Sequence, residues 1–315
     1  MSHTNAATKL IPSLCIALLI ACEVAFSQAP PAPSSTTPGE SLREQGDIPG
    51  AIGEFRRVYL KDPTDQKNIY NLALALSINR QLDSCFKYLT MAVDMKPSIQ
   101  ALIDPDLLTA RADRRWAEFE DKLIATLNAK PGQPFKDVEY AKALWRLQAW
   151  DQAFFIEIGI AGRKIGMKSS VVEALWKFKF MVQEKNEQEL DRLIASKGWP
   201  RVGSVGREAA MAAYLVAMHS HTGMQKKYLT TIKIICEEKE LPWERYALIY
   251  DRSLVNENKP QRFGTHTKYN EQTKAEELYP LEDESKVNAW RKELGLPPLE
   301  EYLKRFNITF RPPKK

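Results

Sequence analysis

Three prolines, Pro63, Pro97 and Pro131, stand 34 residues apart, and that interval limits the possible folds more than any other feature of the chain. A proline has no backbone N–H to give and its ring clashes with the preceding turn, so each one stops a helix. A stop at that interval leaves room for two helices of roughly 13 residues and the turns that join them. Small and apolar residues fall at the expected crossing points. Gly39, Ala51 and Phe55 precede Pro63, and Leu72, Ala73, Leu76, Cys85, Leu89 and Ala92 precede Pro97. Small side chains let two antiparallel helices approach closely, and the larger ones fill the space beside the contact.

This arrangement resembles the tetratricopeptide pattern of paired helices, over residues 40–131. The third unit keeps the period but places Phe119 where a small residue belongs, so it reads as a degenerate repeat or cap. Its Asp104-Pro105-Asp106 and Arg115-Trp116 resemble the ending found where such repeats stop. Two good repeats are few for a solenoid, so the array is expected to lean on the domain behind it. Repeat grooves bind by shape and scattered polar contacts, and the expected partner is a protein or peptide.

Ahead of the repeats, residues 1–27 read as a signal peptide: Lys9, an apolar run from Leu10 to Ala21, then Ala25-Phe26-Ser27 with Gln28 as the first mature residue. Leu19-Ile20-Ala21-Cys22 also fits a lipobox, which would lipidate Cys22 and anchor the chain to a membrane surface. Either way the expected destination is export to the periplasm or cell envelope. The apolar run is shorter than the ~20 residues of a spanning helix. Residues 28–39 are rich in Pro, Ser and Thr and read as a disordered linker. Cys85 and Cys236 are the only cysteines beyond the export segment, and without a CxxC they read as buried thiols. The 45 basic and 40 acidic residues are spread along the chain, which excludes a nucleic-acid footprint.

From Asp137 to about residue 310 the period disappears while the helical pattern continues. Gly198 is placed to end a helix before Trp199-Pro200, Ser204 to cap the alanine-rich helix behind it, and Pro242 to open another. Helices are expected around 225–238 and 243–256. Only residues 261–269 and 276–282 look like strands, enough for one hairpin. The expected fold is all-α: a short repeat module, then a helical domain over 137–310 with a minor β-hairpin or loop.

The motifs of this second half, LWRLQAWDQ, KGWPRVGSVGREAAMAAYLVAMH, ALIYDRSLVNENKPQRFGT and WRKELGLPPLEEYL, occur in one order. In that order they resemble a bacterial domain family of unknown function, found in exported proteins and sometimes behind tetratricopeptide repeats. The resemblance runs from about Ala141 to Phe306. It matches the family pattern at Asp151, Gln152, Gly198, Trp199, Pro200, Val205, Gly206, His219, Asp251, Arg252, Gln261, Gly264 and Thr265. It departs from that pattern at Met218, Phe263 and His266, where the family has glutamine, tyrosine and glutamine. The resemblance implies a location for a site and no chemistry.

Beyond the leader the chain has three histidines, His219, His221 and His266. With Asp251 they offer the donor types of a zinc site, but side chains two apart on a helix face different ways, so no metal is expected. An imidazole held by a carboxylate can titrate near neutral pH, which makes His219 and Asp251 the acid/base candidates. Ser204 lacks a nucleophile elbow, and no Walker loop, dinucleotide fingerprint or HExxH motif occurs, so no cofactor is expected. The helix ending in Asp251-Arg252, the brake at Pro260 and the turn at Gly264 should fold Gln261, Arg262 and Thr265 back over Asp251. Such a loop either clamps the helices or binds a ligand together with Asp151, Gln152 and Trp199. Two function classes are thereby open: a binding scaffold, and a hydrolase-like enzyme with its site around His219, Asp251 and Gln261 to Thr265.

Overall fold

The structure, a computed structural model, describes residues 36–130, 135–270 and 272–313. The leader with Cys15, Cys22 and Gln28, most of the linker and Pro131 lie outside the described residues. Two compact units divide after Pro242, one being Ser35–Pro242 and the other including Trp243–Lys315.

The first unit opens with α1 (Pro38–Gln45), whose N-cap Thr37 accepts from the Glu40 backbone N–H while the Glu40 carboxylate accepts from that of Thr37 at 2.8 Å. The expected linker therefore loses Pro38 and Gly39 to a helix. Thr-Pro-Gly-Glu is a capping box with proline at the first helical position, a local signal stronger than the composition around it. Then come α2 (Ile48–Lys61), α3 (Gln66–Ile78) and α4 (Leu82–Met95), with Asp47 and Asp65 capping the first two through the Gly50 and Asn68 amides at 2.9 and 3.0 Å. Each helix packs on the next. Ala51, Leu72, Ala73, Leu76, Cys85, Leu89 and Ala92 are all 0% exposed, as residues at crossing points must be. Gly39 lies so close to Phe55 that a Cβ there would stand 2.4 Å from the ring. Gly39→Ala is accordingly expected to destabilise the protein by ~1–3 kcal/mol through overpacking, despite alanine's better helix propensity. A urea melt superimposable on wild type would mean that α1 crosses α2 somewhere else.

Short helices α5 (Gln100–Ile103) and α6 (Leu108–Arg111), with a 3₁₀ turn at Pro105–Leu107 between them, lead to α7 (Trp116–Asn128) and then α8 (Val138–Gln152). Helix α8 packs on α5 and on the 3₁₀ turn. Arg43 of α1 pairs with Asp106 at 2.8 Å and with Glu157 of α9 (Phe155–Ile165) at 2.9 Å. These contacts explain why the compact unit runs on to Pro242, whereas the sequence suggested a boundary between 131 and 137. The repeat-like helices share their core with the helices behind them.

Helix α10 (Ser170–Lys197) runs unbroken, because no glycine or proline interrupts it before Gly198, which ends it at φ 77°. After α11 (Val202–Val205) come α12 (Arg207–His219) and α13 (Thr222–Glu237). Ser204 does not cap α12. Gly206, at φ 85°, precedes that helix, and the Ser204 carbonyl instead accepts from the Lys136 and Asp137 amides at 2.8 and 3.1 Å. Cys85 and Cys236 are buried thiols not joined in a disulfide.

The second unit starts with α14 (Trp243–Val255). A loop leads from it into an antiparallel hairpin, β1 (Thr267–Asn270) with β2 (Ala275–Leu278), in which Thr267 faces Leu278. Gly295, at φ 68°, follows α15 (Val287–Glu293), and α16 (Leu299–Leu303) comes after the Pro297-Pro298 turn. Val287, Leu299, Tyr302 and Leu303 form one apolar cluster, and Ala247, Phe263 and Leu296 another. The fold is all-α with a minor β-hairpin. No helix among the described residues is long and apolar enough to cross a membrane.

Candidate functional site

Most of the residues singled out in the sequence fall into two clusters, one in each unit; Trp199 and His221 belong to neither. The first centres on Asp151 in the last turn of α8. Its Oδ2 lies 2.7 Å from His219 Nδ1 at the end of α12 and accepts from Gln152 Nε2 at 2.7 Å. Both side chains of the pair are buried, 2% exposed for Asp151 and 8% for His219. Lys179 of α10 is also buried; it donates to the carbonyls of Trp150 and Asp151 and stands 4.3 Å from the Phe155 ring centre. Burial alone would raise the Asp151 pKa. The charge and hydrogen bond of His219, the Lys179 cation and the Gln152 amide outweigh that and hold it below the usual carboxylate range.

The sequence paired His219 with Asp251, but the carboxylate bonded to His219 is Asp151. The reason is helix geometry. Asp151 and His219 each close a helix, and α8 packs on α12, so the two ends meet. His221 faces a different carboxylate, Glu187 of α10. Trp199 is a packing residue, 9% exposed, with its ring 5.4 Å from that of Tyr228. Among the described residues no group of three His, Cys, Asp or Glu converges as metal ligands.

The second cluster is built on Asp251, which is 0% exposed on α14. Its Oδ1 accepts from the backbone N–H groups of Arg262 and Phe263 at 2.8 and 3.0 Å. Its Oδ2 accepts from the Thr265 N–H at 3.0 Å and the Thr265 hydroxyl at 2.9 Å. Burial pushes this carboxyl's pKa up, and the three amides and the hydroxyl oppose that shift. Gln261, also 0% exposed, uses every polar atom. Its backbone bonds to Pro280 and Glu282 at 2.8 Å, and its side chain donates to the His266 and Tyr279 carbonyls and accepts from the His266 amide. From the other side Arg291 donates to the Phe263 carbonyl at 2.6 Å and Tyr302 to that of Thr265 at 3.0 Å. Gly264 takes φ 70°, and a Cβ there would come within 2.6 Å of Leu299. The Arg262 guanidinium stacks 4.4 Å from the Trp290 ring centre.

The Thr265 hydroxyl has one proton, and it goes to Asp251. His266 must therefore donate from Nδ1 to Thr265 Oγ1, 2.9 Å away. That leaves the Nε2 lone pair buried and without a partner. Burial, together with the charge of nearby Arg252, pulls the His266 pKa down to about 3. The whole loop is thus held from inside, with its polar groups turned toward one another.

Arg291, Tyr302 and Lys179 were missed in the sequence. Their signal was present in the helical pattern: Arg291 lies four residues after Val287, and Lys179 three after Trp176, each on an apolar face.

A family profile matches residues 140–311, more than half of the chain, under the description of a family of unknown function. No curated protein and no solved structure matches the chain. With its alanine-rich helix, the Asp-Arg pair of α14 and its glycine loop all inside the matched segment, the chain belongs to the family of unknown function DUF6624.

Proposed function

We propose that the protein is an exported binding scaffold of the cell envelope, in which a short tetratricopeptide-like module and the helices behind it dock a protein or peptide. The reading rests chiefly on an apolar surface left open beside the repeat-like helices. Trp150, Phe178 and Met181 are 40%, 46% and 58% exposed. Phe154 joins the two aromatic residues, its ring 6.1 Å from Trp150 and 5.2 Å from Phe178. Phe154 also holds φ 73°, a left-handed conformation that costs a bulky residue ~1–2 kcal/mol and keeps its ring in this row. A contiguous exposed apolar patch is a common mark of an interaction surface. The filled Gln261–His266 loop supports the same reading, since its polar groups serve the fold.

A photo-reactive phenylalanine analogue at Met181 is expected to give one discrete crosslinked protein species in envelope preparations, lost on Phe178→Glu. A control analogue at Leu60, which is 81% exposed on α2, should give none. Equal, diffuse crosslinking from both positions would count against the scaffold. The same preparation tests export: mass spectrometry should find Gln28 at the N-terminus, and a diacylglyceryl Cys22 would point to the lipoprotein.

The buried His219–Asp151 pair favours a second reading, a hydrolase-like enzyme. A carboxylate on Nδ1 fixes the imidazole's orientation and raises its basicity, as a general base requires. That reading stands only if turnover of an ester or phosphoester substrate is lost on Asp151→Asn while the thermal melt stays cooperative.

A further inference from the structure

A cavity of about 480 Å³ opens where the repeat-like helices end against α8, and neither cluster described above uses it. Arg111, Arg114, Trp116, Glu120, Arg146 and Trp150 line it. Its volume is that of a small-molecule site, where ~300–1,000 Å³ is usual.

The charges on its wall are unevenly matched. Both carboxylates are taken. Asp113 accepts from Arg115 through both oxygens at 2.8 and 2.9 Å, and Glu120 accepts from Trp116 Nε1 and Arg146 Nη2 at 3.2 Å each. Two guanidiniums keep unused N–H donors. Arg111 donates once, from Nη2 to the Ala101 carbonyl at 3.3 Å, while its buried Nε and Nη1 have no acceptor. The Arg114 side chain is exposed at the cavity; it attracts Asp113 but makes no hydrogen bond or close ion pair among the described residues. Buried donors without acceptors are costly, and burial pulls the Arg111 pKa down to about 10 even though the nearby Glu120 and Asp104 carboxylates oppose that shift. The Arg111 guanidinium stacks 4.4 Å from the Trp116 ring centre, and the Trp150 indole stays 40% exposed at the same cavity.

We infer that this cavity binds a small organic anion carried on an aromatic body. The anionic group accepts from the unpaired Arg111 N–H donors and meets the exposed Arg114 guanidinium, and the ring lies against the Trp150 indole. The site is distinct from the docking surface: Trp150 borders both, but Arg111 and Arg114 belong to the cavity alone.

Calorimetric titration of the full chain with 1-naphthoate and with neutral 1-naphthamide tests the inference, and quenching of indole fluorescence gives a second readout. The acid is expected to bind at least about tenfold more tightly than the amide, a charge-assisted hydrogen bond's worth. Arg114→Gln and Trp150→Ala should each weaken naphthoate by about tenfold. Arg114→Gln should also leave crosslinking from Met181 unchanged. Equal affinity for acid and amide overturns the inference. So does naphthoate binding indifferent to both substitutions, or neither heat nor quenching at about millimolar naphthoate. If Trp150→Ala fails to fold, Arg114→Gln decides alone, since that side chain has no hydrogen bond to lose.

Discussion

Asp251→Asn is expected to destabilise the second unit by ~3–5 kcal/mol, although the substitution changes a single atom. Both carboxylate oxygens are acceptors, one for the Arg262 and Phe263 amides and the other for the Thr265 amide and hydroxyl. An asparagine has one oxygen and one NH₂ group. Whichever way it is turned, the NH₂ meets backbone donors that cannot rotate away, and the loop must either open or bury unpaired N–H groups. Gly264→Ala attacks the same clamp by a different route. It combines a left-handed backbone at φ 70° with a Cβ only 2.6 Å from Leu299, and is expected to cost ~2–4 kcal/mol. Denaturant melts followed by the aromatic signal of Trp290 and its neighbours read both. If either variant stays within about 0.5 kcal/mol of wild type, the range of ordinary surface substitutions, the loop is not the clamp described here.

Much of this loop could be read in the sequence because its signals are local. A proline five residues past the end of a helix, followed by a glycine and a threonine, requires a turn whichever core it serves. The repeat-like helices were legible for a related reason: a fixed interval between prolines gives the register, and the register gives the buried positions. What the sequence could not supply were the pairings made by tertiary contact. His219 and Asp251 were joined because both looked like site residues, yet α8 brings Asp151 to His219 across 68 residues of sequence. No spacing encodes that meeting, which depends on how two helices pack along their lengths. The compact unit ending at Pro242 was hidden likewise, because the salt bridges of Arg43 to Asp106 and Glu157 join segments whose compositions look unrelated. Lys179 and Arg291 show the converse. A charge on an apolar helix face is visible in the sequence, but which carbonyls satisfy it is not.

His266 should make the second unit acid-sensitive. Burial holds its folded pKa at about 3, well below the ~6.5 of an exposed imidazole. The sign is set by which state binds the proton. Below about pH 6.5 the unfolded chain takes up a proton that the folded chain refuses, so stability falls as pH falls, until the folded value is reached. Each pH unit in that window removes about 1.4 kcal/mol, which makes about 2 kcal/mol between pH 7 and pH 5. Asp251, whose carboxyl is raised by burial, shifts stability in the opposite direction. The contribution of His266 is therefore isolated by comparison with His266→Gln, which restores the residue of the family pattern and can still donate an amide N–H to Thr265. Wild type should lose about 2 kcal/mol more than His266→Gln over that interval in paired urea melts. In the folded protein the imidazole's proton resonances should stay unshifted from about pH 7 to pH 5, because a ring whose Nε2 is buried without an acceptor, with the Arg252 charge nearby, has nowhere to place a second proton. Parallel pH slopes for the two chains, or a folded-state titration near pH 6, would show that solvent reaches Nε2 and that the loop opens far more readily than its hydrogen bonds imply.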